Sequence, residues 1–176
     1  IEVEQKLGQA QAYLEKGETE KAEEVLHDFQ NELQDILAWV KEVEAGYPDE
    51  AFKLRMAVSE LLNLYDKKLA IILPNETLYP LKQAVSQVKV LVGETPAEKT
   101  EEKMKQAEEL LLEAHDLVEQ GDNATAAQQV EAYTGAMAEA ASEVQQLPED
   151  QKEKAVSVII ETKGNDVSAF IPTNVI

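Results

Sequence analysis

The chain has 176 residues, enough for one large domain or two small ones, and is 44% hydrophobic but only 5% aromatic. Its net charge of −19, with Arg55 the only arginine, gives a surface that repels phosphate backbones and anionic lipid, so neither nucleic acid nor an acidic membrane is an expected partner. No cysteine is present, which removes disulfides, thiolate nucleophiles and cysteine-ligated metals, and no apolar run reaches the length of a membrane span, so direct membrane insertion is not expected.

Helix formers dominate, and the fold class expected is all-α: long antiparallel helices, about seven, in tandem bundle units. The first stripe is Val3, Leu7, Ala10 and Leu14, ended by Gly17. Thr19 is the expected N-cap of a long second helix carrying Ala22, Leu26, Phe29, Leu33, Ile36, Val40 and Val43, closed by Gly46. Pro48, with Asp49 and Glu50 behind it, opens the third, whose stripe is Ala51, Leu54, Val58, Leu61, Tyr65, Leu69 and Ile72. Pro74 and Asn75 stop it.

A fourth helix begins at Thr77 or Tyr79, since a residue before proline avoids the helical region. Its stripe is Leu81, Val85, Val88 and Val92, and Gly93 breaks it. Thr95-Pro96-Ala97-Glu98 is a capping box with proline at the first helical position, opening a helix with Met104, Ala107, Leu111, Ala114 and Val118 that Gly121 ends. Asp122 or Asn123 caps the next, with Ala126, Val130, Tyr133, Met137, Ala140 and Val144. Pro148 starts the last. There the β-branched run 156–160 and the turn residues 163–166 allow a β-hairpin over 156–171 as the alternative to helix.

The two halves align. Leu7, Ala10, Gly17, Ala22, Phe29 and Leu33 fall on Leu111, Ala114, Gly121, Ala126, Tyr133 and Met137 at one constant offset. Tyr47-Pro48-Asp49 falls on Leu147-Pro148-Glu149, and Ile72-Leu73-Pro74-Asn75 on Phe170-Ile171-Pro172-Thr173. A period of roughly a hundred residues is too long for a solenoid and suggests duplicated domains. The expected division is a truncated first unit of three helices at 1–72 and a related second unit of four helices at 73–176. By this alignment residues 148–170 are helix. Should the helix from Thr77 pack back on residues 1–72, the two units merge into one continuous bundle.

The segment Leu73-Pro74-Asn75-Glu76-Thr77-Leu78-Tyr79-Pro80-Leu81-Lys82 resembles the opening of an uncharacterised bacterial domain of exported or membrane-anchored proteins, in which a Pro-X-X-X-Leu-Tyr-Pro-Leu-Lys core starts the first helix. The likeness covers about residues 73–160. It implies an extracytoplasmic location, sometimes an anti-sigma-factor context, and no enzymatic activity. The physical content of the core is structural: Pro80 presets the first turn, and Leu78, Tyr79 and Leu81 anchor the helix start.

The residues offer little chemistry. Glu24 and His27 have the Glu-x-x-His spacing of di-iron bundles, but His115 has Leu112 where the second motif needs a carboxylate. The glutamate pairs 23–24, 101–102 and 108–109 read as solvated helix faces, and calcium loops and phosphate loops are absent. Neither a catalytic residue, a metal ligand nor a cofactor is expected. Trp39, Tyr47, Tyr65 and Tyr79 are the candidate partner surface, and the small residues Ala136, Ala140 and Ala141 a face for close helix contact between chains. The leading expectation is a non-catalytic binding or spacer module of an exported or cell-surface protein, acting on a protein partner or by self-association through helix faces. Its alternatives are an extracytoplasmic sensory module of an anti-sigma-type envelope protein and, less favoured, a metal-storage bundle.

Overall fold

A computed structural model describes residues 2–164, which form seven α-helices with no strand among them. These are α1 (Glu2–Glu15), α2 (Thr19–Val43), α3 (Pro48–Leu69), α4 (Tyr79–Val92), α5 (Pro96–Glu119), α6 (Asn123–Gln145) and α7 (Glu149–Gly164). Helix α7 runs through residues 156–164, so the first strand of the alternative hairpin is helical. The hairpin's second strand and the aligned segment Phe170–Thr173 lie outside the described residues.

Local chemistry sets most of the ends. Gly17 and Gly121 are the two glycines at positive φ, 75° and 84°, where a side chain would be strained. Each closes a Schellman turn with the same pair of hydrogen bonds. Glu18 N–H donates to the Tyr13 carbonyl and Gly17 N–H to Leu14; Asp122 N–H donates to Leu117 and Gly121 N–H to Val118. Helix α5 opens on the expected capping box: the Thr95 hydroxyl accepts from Glu98 N–H at 3.2 Å, and the Glu98 carboxylate accepts from Thr95 N–H at 3.1 Å. The Asp122 carboxylate caps α6 through Thr125 N–H. At α2 the expectation is off by one residue. Thr19 is already helical, and Glu18 is the N-cap; its carboxylate makes no capping bond and instead accepts from the Lys21 ammonium.

The helices fall into two compact units, one ending at Val92 and the other beginning at Gly93. In the first, α1 packs on α2, α3 on α4, and α4 on α2. Leu7, Phe29, Leu33, Leu62, Leu81, Val85 and Val88 share one core. On α2 Leu37 rather than Ile36 completes the buried stripe, and on α3 Leu62 is buried where Leu61 lies half-exposed. In the second unit α5 packs against both α6 and α7. Its core includes Met104, Leu111, Leu117 and Val144, with Ala107, Ala114, Ala126, Ala140 and Ala155 between them. Ala140 is therefore core, and Ala136 and Ala141 are half-buried, so this face contributes to packing within the unit.

The boundary differs from the expected division after residue 72 by one helix. Helix α4 does pack back on the preceding helices, yet the chain still divides, and it does so at Gly93. A Cβ on Gly93 would lie 3.1 Å from the Lys99 backbone nitrogen, so a side chain there would crowd the first turn of α5.

Candidate functional site

The segment that carries the family resemblance folds into a tightly bonded strap between α3 and α4. After α3 ends at Leu69, the chain turns at Leu73–Glu76. The Glu76 carboxylate accepts from Leu73 N–H at 2.6 Å, while Glu76 N–H donates back to the Leu73 carbonyl. Tyr79 N–H donates to the Glu76 carbonyl, and Pro80 then occupies the first turn of α4, where no amide donor is needed.

Lys82, the last residue of the core, has a role that sequence reasoning missed. It is 5% exposed, and its ammonium donates to the carbonyls of Ala70 and Ile72, both at 3.2 Å. These carbonyls lie at the C-terminal end of α3, where the helix dipole leaves partial negative charge and acceptors without an intrahelical partner. A single cation thus closes α3 and seats the start of α4. Seven residues on, on the same flank of α4, Lys89 pairs with Asp66 of α3 at 2.7 Å. Gln87 accepts from Gln30 of α2. The signal was present in the sequence: Lys82 stands beside Leu81 and Val85 on an apolar stripe, where a lysine needs a reason to be.

Residues 71–167 match the family model DUF5667, a domain of unknown function. The chain belongs to this family. The DUF5667 match begins inside the strap, so α4 and its Lys82 lie within the family segment although they pack in the first compact unit. No curated protein and no solved structure matches the chain.

The four aromatic residues of the candidate partner surface in this DUF5667 chain divide into two kinds. Trp39 and Tyr47, 54% and 65% exposed, stand near the turn from α2 to α3, with half-buried Val43 midway between them in sequence. Tyr65 and Tyr79 are half-buried. Tyr65 packs against the core of the first unit, with the Lys68 ammonium 5.1 Å from its ring centroid. Burial first, and the Glu4 carboxylate second, raise its hydroxyl above the ordinary tyrosine pKa. Tyr65 and Tyr79 are thus less exposed than Trp39 and Tyr47.

The candidates for chemistry are dispersed. His27 is exposed and faces Asn31 at 3.0 Å. At the end of α5, His115, Asp116 and Glu119 bring donor atoms within 4.8 Å of one another, the one such grouping found among the described residues. All three stand at least partly in solvent, where water competes for any cation. Buried polarity lies elsewhere in the second unit: Glu113 of α5 accepts from the Gln129 amide of α6, both nearly inaccessible. Joining a buried carboxylate to an amide donor across two helices fixes their register, since a slip would leave both groups desolvated.

Proposed function

We propose that the chain is a non-catalytic helical module that binds a protein partner or spaces other parts of an extracytoplasmic, exported or cell-surface protein. The observation that carries the reading is the exposure of Trp39 and Tyr47, two large aromatics near the single turn joining α2 to α3. Such side chains are enriched at binding hot spots because they bury much area at low cost in side-chain entropy. The aligned halves, with their matching Schellman turns, support the further reading of tandem related units. Exposure of Glu23, Glu24 and Glu101 supports a solvating role for the acidic pairs.

The test is made in cells producing the full-length gene product. Protease added outside the cytoplasmic membrane is expected to reach this region. The double variant Trp39→Ala/Tyr47→Ala, with unchanged helical circular dichroism, is expected to lose cross-links to its envelope partner. A region protected with cytoplasmic markers overturns the location, and cross-links unchanged in the double variant overturn the surface.

A further inference from the structure

Helix α3 is apolar on two sides. Ala51, Val58, Leu62 and Leu69 face the core of the first unit. On the other half of the same helix Phe52, Met56 and Leu64 are 60%, 43% and 47% exposed, and Ile71 just past its end is more exposed still. A helix of a water-soluble bundle ordinarily keeps one apolar stripe.

The two ends of this outer face differ in charge. Asp49 and Glu50 stand at its start, Lys67 and Lys68 at its end, and all four are exposed. Asp49, Glu50 and Lys67 form no ion pair among the described residues, and Lys68 lies over the Tyr65 ring. The apolar residues lie between the charged ends, interleaved with exposed Lys53 and Glu60 and with the small Ala57 near the middle. The helix has 22 residues, so the face is about 33 Å long at 1.5 Å per residue.

We propose that this face is a self-association surface: α3 pairs antiparallel, across a two-fold axis, with α3 of a second copy of the chain. The antiparallel arrangement sets Asp49 and Glu50 of each copy against Lys67 and Lys68 of the other, so the charge match occurs twice. Phe52, Met56 and Leu64 of both copies fill the middle, and Ala57 near the axis lets the helices approach. A parallel pair would set like charges together at both ends. An anionic surface would attract one end and repel the other, so a face with opposite ends fits its own inverted copy better. The proposal does not rest on the reading of Trp39 and Tyr47, and either one stands if the other fails.

Sedimentation of the whole chain near physiological salt tests it, using the unaltered chain and three variants. Lys67→Glu/Lys68→Glu makes both ends of the face acidic, and Asp49→Lys/Glu50→Lys makes both ends basic. The unaltered chain is expected to dimerise, each variant alone to bind itself at least about tenfold more weakly, and an equal mixture of the two to recover the dimer. The lysines at positions 49 and 50 oppose the helix dipole, so helical content is measured for each protein. Phe52→Gln/Leu64→Gln supplies a variant that leaves the charges alone and is also expected to be monomeric. A chain that stays monomeric up to about 1 mM, a dimer indifferent to these substitutions, or a mixture that fails to pair overturns the proposal.

Discussion

Lys82 is the residue on which the first unit most visibly depends for a polar contact. Its ammonium is held by two backbone carbonyls beyond the end of another helix, in a place where water has little access. Lys82→Met keeps the aliphatic stem but leaves the Ala70 and Ile72 carbonyls without this donor, and is expected to lower the stability of the unit by about 1–3 kcal/mol. Urea unfolding followed by circular dichroism measures this as a lower midpoint at unchanged slope. Tyr65 gives a second residue-scale expectation, this one in pH. Its hydroxyl is raised above the ordinary tyrosine value, so the fold favours the neutral phenol. The stability it contributes is complete below that ordinary value and is lost as pH rises through the folded value. Tyr65→Phe is expected to flatten this alkaline loss, read from unfolding midpoints across an alkaline pH series.

Helices were legible in the sequence wherever one segment carries its own signal. Thr95 and Glu98 bond each other's backbone within a single turn, Asp122 caps three residues ahead, and Gly17 and Gly121 need only their own backbone angles. Partner choice was not legible, because an apolar stripe states that a face is buried without stating against what. Leu81, Val85 and Val88 predict a buried side for α4 equally well in either unit. The deciding contacts, Lys82 on the carbonyls after α3, Lys89 on Asp66 and Gln87 on Gln30, join residues on different sides of a turn or on different helices. The outer face of α3 was missed for a related reason: Phe52, Met56 and Leu64 fall off the core stripe and read singly as ordinary surface residues. Hydrogen exchange gives a direct check on α4. Its amides are expected to open together with those of α2 and α3, and Lys89→Ala to speed exchange in α4 without changing the rates in α5 or α6.

The whole molecule is uneven in charge as well as in packing. Seventeen acidic and ten basic residues lie up to Val92, and eighteen acidic and six basic ones from Gly93 onward. Mobile cations and basic partners are therefore drawn more strongly to the second unit, while Lys6, Arg55, Lys82 and Lys89 of the first each join one helix to another. Among the described residues alanine serves the two cores differently: in the first it fills gaps between Leu and Phe, whereas in the second it supplies about as many buried positions as the larger side chains.

The place of α4 bears on how such a chain is cut. The family segment starts at Ile71, before α4, whereas the folded unit changes hands at Gly93, after it. The family segment is thus offset by one helix from what holds together as a body. A fragment trimmed to the family limits would carry Leu81, Val85 and Val88 away from the side chains that shelter them, exposing an oily edge to neighbouring molecules. A cut at Gly93 leaves every helix beside the companions described here.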